Sequence, residues 1–215
     1  MSIRTFAFAI AAFALSFGTV RADESPTTTA PATASESAFI SAMQADLRQR
    51  FATIAEATSA GYVRYTNPDD TGAISYADMH WQSTDVHHPS QLWYDRAGNL
   101  LGADYSVLAT GKARPNLWGI LPGRWYEFDD HVHYVKKDPR TGALVYDQYV
   151  MANKFKAAGG DVRHPAAVTL VNMHRVKSTA DVATIFDFPA IWDLVIWVKY
   201  NPKGAFAEKN PLVKP

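Results

Sequence analysis

The chain has 215 residues, of which 47% are hydrophobic and 20% charged, and its 21 Lys and Arg residues balance 21 Asp and Glu residues. This is the composition of an ordinary globular domain, and the lack of net charge or of a basic stripe argues against nucleic-acid binding. Because the chain has no cysteine, disulfides, thiolate metal ligands, a Cys nucleophile and a lipid-modified Cys anchor are excluded.

The N-terminus has the three-part pattern of a secretory signal peptide. Arg4 precedes the apolar run FAFAIAAFALSFGTV, and Val20 and Ala22 are small residues at the positions that signal peptidases read, so cleavage is expected before Asp23. The run is shorter than the roughly 20 residues that a transmembrane helix needs. Residues 1–22 are therefore predicted to be removed, which leaves a periplasmic or secreted soluble protein without a membrane span.

The next segments predict a tether and then a helix. Residues 23–36, DESPTTTAPATASE, contain no large apolar side chain and are predicted to be disordered, with 37–215 forming a single domain. From residue 39 onward, large apolar residues recur at three- and four-residue steps until Gly61, which predicts one amphipathic helix. These residues are Phe39, Ile40, Met43, Leu47, Phe51 and Ile54.

After Gly61 the pattern changes to alternating residues and tight turns, which are typical of β-strands. Strands are predicted at 62–66, 73–81, 167–176 and 191–200, and hairpins at 91–108 and 125–151 around the turns RAGN and KKDPRTG. The predicted fold class is therefore α+β, with an N-terminal amphipathic helix packed on a mainly antiparallel sheet built from hairpins.

The C-terminal segment NPKGAFAEKNPLV resembles the closing motif N-P-x-G-x-F-A-x-x-N-P-x-V of a family of secreted bacterial proteins of unknown function. The resemblance extends more loosely to Met79-His80-Trp81, to HPSQLWYD and GNLLGADYSV, and to PNLWG at 115–119. Those relatives tend to carry a His where this chain has Leu194 and Val195, and a Cys where it has Lys214. The resemblance implies secretion and a single fold, and it supplies no activity and no site in the last strand.

Residues 125–135, WYEFDDHVHYV, contain the strongest candidate site. On one extended strand, Glu127, Asp129, His131 and His133 alternate with aromatic and apolar residues and are predicted to share a polar face opposite the core. Both imidazoles can then bind one ion at about 2.1 Å, with a carboxylate as third ligand. The alternative is the ordinary polar face of a half-buried strand.

A second group of histidines extends this prediction. His80 lies on the predicted strand 73–81, on one face with Tyr76 and Asp78, and His88 precedes Pro89, which favours an extended backbone at His88. If these stretches lie beside residues 131–133 in the sheet, three histidines can share a divalent metal such as zinc; alternatively, His80 is a hydrogen-bonded core residue. The predicted metal ligands are His131, His133, His80, His88, Glu127 and Asp129.

The predicted function is binding of a small molecule or a divalent metal at a face lined by histidines and aromatic residues. Two alternatives stay open: a metal-assisted hydrolase or lyase with Glu127 or Asp129 as its base, and a non-catalytic envelope-interaction protein. The sequence contains neither a G-x-S-x-G nor a phosphate-loop pattern, so it identifies no nucleophile or nucleotide cofactor and leaves open whether the chain is an enzyme.

Overall fold

The computed structural model describes residues 26, 28–69, 71–78, 85–111 and 113–214. The predicted signal peptide lies outside these residues and stays a prediction. The helices are α1 Ala34–Arg50, α2 Ile54–Ser59, α3 Ala152–Ala157 and α4 Ala167–Asn172. The strands are β1 Val63–Arg64, β2 Ile74–Ala77, β3 Gln91–Tyr94, β4 Leu100–Leu108, β5 Tyr126–Phe128, β6 His131–Lys137, β7 Leu144–Met151, β8 Val182–Phe188 and β9 Ile191–Trp197. Within the described ranges, no helix has the length and apolarity needed to cross a bilayer.

The strands form two sheets, and every pairing in them is antiparallel. The large sheet has the order β1-β2-β3-β4-β9-β5, and the small sheet has the order β7-β6-β8. The α+β class is confirmed, as are the hairpins β3–β4 and β6–β7. The predicted strand at 125–135 is divided, because β5 belongs to the large sheet and β6 to the small one.

A bent two-stranded ribbon connects the two sheets. Its strands are 126–137 and 182–197, and pairing passes from Phe128 opposite Ile191 to His131 opposite Phe188 without a change of register. The unpaired residues between them are 129–130 on one strand and 189–190 on the other. Pro189 has no backbone N–H and cannot donate to the ladder, which favours a break in pairing at this point.

The single helix predicted before Gly61 is two helices, each started by a capping box. Thr33 caps α1 with Glu36, and Thr53 caps α2 with Glu56. In each box the threonine hydroxyl accepts from the backbone N–H three residues on, and the glutamate accepts from the threonine N–H. The first box starts α1 at Ala34, so 34–36, which the sequence analysis assigned to the tether, are helical. The second Thr-x-x-Glu pattern, within the apolar periodicity, marks the break.

Helix α1 covers one face of the large sheet. Met43, Leu47 and Phe51 pack there with buried side chains of the central strands, among them Tyr105 and Ile196. This burial of a helical stripe against a sheet face is the expected source of most of the stability of such a domain.

The C-terminal motif packs against both faces of the large sheet, since Phe206 lies in the cluster beneath α1 and Val213 in the cluster on the opposite face. The Asn201 side chain donates to the Lys209 carbonyl at 3.2 Å, and the Asn210 side chain donates to the Tyr200 carbonyl at 2.9 Å. The indole of Trp197 donates to the Ala207 carbonyl at 2.6 Å. Each asparagine of the motif thus donates to the carbonyl of the residue that precedes the other asparagine, which gives a structural reason for the spacing of the two Asn-Pro pairs.

Helices α3 and α4 cover the outer face of the small sheet. Val132 and Tyr134 of β6 pack there against Phe155 and Leu170. The strand predicted at 167–176 is wrong, since 167–172 are helical; Leu170 is fully buried in this packing, and tertiary contacts override the weak strand propensity of the segment. Strand β8 was not predicted at all.

A buried ion pair ties the start of α1 to the 3-10 helix Pro122–Arg124. The Arg124 Nε donates to a Glu36 carboxylate oxygen at 3.1 Å, and the two side chains are 6% and 0% exposed. The same carboxylate accepts from the Leu121 N–H, and the guanidinium also donates to the carbonyls of Ala30 and Pro31. Both charges are therefore fully partnered, as burial requires.

We expect Glu36→Ala to lower the free energy of unfolding by about 3 kcal/mol, because it leaves the Arg124 charge buried without its partner. Glu56→Ala is the matched control: it removes the same capping role at α2, where the side chain is exposed, and should cost about 1 kcal/mol. Urea denaturation measures both. Equal losses in the two variants would show that the buried charge pair adds nothing to the cap.

Candidate functional site

His131 and His133 form a buried pair between the two sheets. Both lie on β6, two residues apart, and their side chains point to the same face of the small sheet. Their Nε2 atoms are 3.0 Å apart, and the residues are 1% and 7% exposed. Strand alternation predicts that both histidines lie on a polar face opposite the core; that prediction is wrong, because the bend of the ribbon turns this face towards the large sheet.

Aromatic rings enclose the histidine pair. Phe188 stacks on His131 with ring centroids 4.2 Å apart, and Phe186 stacks on His133 at 5.5 Å. The Tyr65 ring meets His133 edge-on at 4.7 Å. Tyr149, opposite His133 on β7, lies 5.9 Å and 6.1 Å from the two imidazoles. Phe186 and Phe188 come from the unpredicted β8, although their i, i+2 spacing beside Ile185 was an available strand signal.

Three of the four imidazole nitrogens have a defined neighbour. The Nδ1 of His131 is 2.7 Å from the Asp129 backbone carbonyl, and the two Nε2 atoms face each other. The Nδ1 of His133 is buried and makes no hydrogen bond in the described part of the chain, although the Gln148 carbonyl is close enough to influence the ring. A buried imidazole nitrogen without a partner costs about 1–3 kcal/mol.

Burial keeps both imidazoles neutral. Desolvation lowers the pKa of His131 to about 4, although the Asp129 carbonyl and the charges of Asp130 and Asp129 act in the opposite direction. Desolvation, followed by the nearby His131, lowers the pKa of His133 well below its usual value. Each ring at neutral pH therefore has one N–H and one lone pair.

Glu127 does not join the histidines. It lies on β5 directly opposite Trp192, and side chains of directly opposed residues share one face of a sheet. Trp192 packs in the cluster beneath α1, so Glu127 faces the α1 side of the large sheet. Asp129 contributes its backbone carbonyl to His131. The prediction places Glu127, Asp129, His131 and His133 on one face of a continuous strand. That strand is interrupted at the bend, so the alternation of faces does not continue through it.

Of the other two predicted histidine ligands, only His88 lies within the described residues, and it is part of no metal cluster there. His88 is exposed, with its Nδ1 3.0 Å from the Asp85 carboxylate, and the neighbouring His87 carbonyl accepts from Arg50 at the end of α1. His80 lies outside the described residues, so its role stays a prediction. Among the residues described, no group of three or more His, Cys, Asp or Glu side chains is arranged around one metal position.

A second buried polar group lies in the large sheet. Asp104 and Asp193 are 3% and 2% exposed, on the paired strands β4 and β9. The Ser106 hydroxyl donates to Asp193 Oδ1 at 2.7 Å and lies 2.6 Å from the Ser90 hydroxyl, while Asp104 Oδ1 has no partner in the described structure. The sequence does not predict this pair, because charged strand residues are usually solvated.

The two carboxyl groups hold protons at pH values where exposed aspartates have lost them. Burial, followed by repulsion from the Asp193 carboxylate, raises the pKa of Asp104 well above its usual value. Burial raises the pKa of Asp193 to about 6, against the opposing effect of the Ser106 hydrogen bond. With no cationic partner among the described residues, retaining a proton is the least costly state for this pair.

Tyr65 and Gln91 connect the two buried groups. Gln91 lies directly opposite Asp104 in the pairing of β3 with β4, and the Tyr65 hydroxyl donates to the Gln91 side-chain oxygen. The same Tyr65 ring contacts His133. A line of buried polar side chains therefore runs from the aspartate pair in the large sheet to the histidine pair in the small one.

Comparisons with protein-family models, with curated proteins and with solved structures found no match for this chain. They leave the resemblance of the C-terminal motif to secreted bacterial proteins as a prediction.

We expect Asp104→Asn to gain stability relative to the wild type as the pH rises. In the wild type the folded state retains these protons above the unfolded pKa of 3.8, so the carboxyl pair's contribution to stability falls as the pH rises from there through about 6. Asparagine, with similar shape, does not titrate. The difference in free energy of unfolding between variant and wild type should shift by at least about 1 kcal/mol in favour of the variant between about pH 4.5 and about pH 7.5.

Asp138→Asn is the control, because Asp138 is on the exposed β6–β7 turn, where backbone hydrogen bonds lower its pKa. Its difference from the wild type should stay constant over the same pH interval in urea denaturation. A constant difference for Asp104→Asn as well would contradict protonated aspartates in the folded state.

Proposed function

We propose that the protein binds a divalent transition-metal ion between the Nε2 atoms of His131 and His133. The observation that carries the proposal is the approach of these two nitrogens to 3.0 Å inside a closed aromatic cage. Neutral imidazole is a preferred ligand of Zn²⁺, Cu²⁺ and Ni²⁺.

Without an ion, the neutral pair does not satisfy all its nitrogens. The Asp129 carbonyl can only accept, so the His131 Nδ1 has the hydrogen and its Nε2 has a lone pair. If His133 donates from Nε2 to this lone pair, its own Nδ1 is left as a buried acceptor with no donor. If His133 instead has its hydrogen on Nδ1, beside the Gln148 carbonyl, two lone pairs face each other.

A metal ion removes this conflict. With the hydrogen of each ring on Nδ1, both Nε2 lone pairs are free to coordinate the ion. The Nδ1–H of His131 then donates to the Asp129 carbonyl, and a backbone carbonyl on the second nitrogen is the usual arrangement around metal-bound histidine. A proton shared between the two Nε2 atoms would also remove the conflict, but it would place an imidazolium charge among phenylalanine rings. Unexplained buried polar atoms of this kind often mark an ion or a water.

The spacing is compatible with metal coordination. An ion about 2.1 Å from both nitrogens would see them at an angle of about 90°, as in square-planar or octahedral coordination, and a few tenths of an ångström of ring movement would give a tetrahedral angle. The remaining positions are left to solvent or to donors outside the described residues. This supports a binding function, with the metal held in a largely apolar shell.

The test is a titration of untagged, EDTA-treated protein with Zn²⁺ and with Cu²⁺, followed by calorimetry and thermal unfolding. We expect one ion per chain and a concentration-dependent rise in the unfolding temperature, since an ion that binds only the folded state adds about 2.7 kcal/mol of stability at one hundred times its Kd. His131→Gln and His133→Gln should each abolish this rise. His80→Ala tests in the same titration whether His80 belongs with the pair.

His174→Asn is the matched control, because His174 is exposed and has a left-handed backbone that asparagine tolerates. It should bind the metal like the wild type. If the Gln variants do not fold, the wild type alone decides: nitrogen NMR should show that Zn²⁺ shifts the Nε2 resonances of both His131 and His133. Saturating metal that leaves both resonances in place would show that the proposal is wrong.

A further inference from the structure

A cleft of about 450 Å³ opens where the ribbon bends between the two sheets. It is bordered by residues 108–110 at the end of β4, by Asp130 in one strand of the bend, by 189–190 in the other, and by 160–163 between α3 and α4. Its volume is within the range of sites for small organic ligands, which lie preferentially at such junctions. The cleft is separate from the histidine pair, which is buried inside the bend.

We propose that this cleft binds a primary ammonium group on an aliphatic chain. The charged residues that line it are three carboxylates, Asp130, Asp161 and Asp187, and two cations, Lys156 and Arg163. The excess of one negative charge within a concave surface favours a cationic ligand. The proposal does not depend on the metal site.

The carboxylates of the cleft are unequally neutralised. Lys156 lies 3.3 Å from Asp130, whereas Arg163 approaches Asp187 only to 3.9 Å and forms no hydrogen bond with it in the described structure. Asp161 accepts from the Arg163 backbone N–H and is in no ion pair with a described residue. Asp187 is half-buried, and desolvation raises its pKa despite the nearby Arg163. An ammonium group between Asp161 and Asp187 would supply the missing charge.

The uncharged residues of the cleft determine which class of cation fits it. The apolar part of the lining is Leu108, which is exposed, together with the mostly buried Val162 and Pro189, and the described residues that line the cleft include no aromatic ring. Quaternary ammonium groups are recognised mainly by aromatic faces. A primary amine, which brings three N–H donors to the carboxylates, fits this lining and a quaternary amine does not.

The wall at 160–163 is held in place by close packing. A Cβ on Gly160 would lie 2.3 Å from the Phe155 ring and 2.7 Å from a methyl carbon of Thr169, so only glycine allows the segment to approach α3 and α4 this closely. Asp161 follows directly and is therefore fixed relative to the small sheet.

The experiment follows backbone amide shifts of the full mature protein by NMR during titration with butylamine, butyrate and choline. Butylamine should shift the amides of 161–163 and 187–190, while butyrate, with the same chain and opposite charge, and choline should not. Asp161→Asn and Asp187→Asn should each weaken butylamine binding about fivefold, as expected for the loss of one exposed charge pair. Arg163→Gln should strengthen it, since a competing cation is removed.

Glu208→Gln is the control, because it removes one exposed negative charge on the C-terminal segment, away from the cleft lining; its affinity should equal that of the wild type. Nα-acetyl-lysine amide, titrated in parallel, shows by its affinity relative to butylamine whether the ammonium belongs to a lysine side chain or to a free amine. Equal shifts with butyrate or choline, or unchanged affinity in both folded Asn variants, would overturn the proposal.

Discussion

The bend in the ribbon 126–137/182–197 is the constraint on which the remaining structure depends. The two strands stay in one register from the large sheet into the small sheet, with two unpaired residues on each strand at the bend. The pleat does not continue through it: Phe128 and Ile191 on one side and Phe186 and Phe188 on the other meet in a single cluster between the sheets. A straight ribbon would leave one of these faces in water, and the hydrophobic gain from covering both favours the bend.

The same bend places both candidate sites. On its inner side, the odd-numbered face of β6 turns towards the large sheet, and His131 and His133 lose their solvent. On its outer side, Asp130 and the Pro189–Ala190 segment are not paired with each other and border the cleft. One sharp change of strand direction thus produces a closed polar pair and an open charged cleft, within a few residues of each other in sequence.

The aspartate pair and the histidine pair are both buried. Each desolvated group must therefore find hydrogen-bond partners or change its protonation state. The aspartate pair retains protons; Asp193 accepts from Ser106, and Asp104 Oδ1 has no hydrogen-bond partner in the described structure. The histidine pair gives up protons and also has an unsatisfied nitrogen. Metal ligands must be deprotonated, so metal binding is proposed at the neutral histidines and not at the protonated aspartates. By contrast, both charged groups of the buried Glu36–Arg124 pair are hydrogen-bonded, and we infer that the pair stabilises the position of α1.

The sequence by itself determined the features that depend on local chemistry. Apolar periodicity and the Thr-x-x-Glu boxes specify α1 and α2, alternating residues around Gly- and Pro-containing turns specify the hairpins, and His131 and His133 share a face because strand side chains alternate. Only the tertiary structure decided which face of each strand is buried. The bend separates Glu127 from the histidines, Leu170 is drawn into a helix, and Asp104 and Asp193 are enclosed, because long-range packing sets the solvent exposure of every one of these groups. The local sequence pattern does not specify this long-range packing. The aromatic cage around the histidines could therefore not be predicted from the sequence.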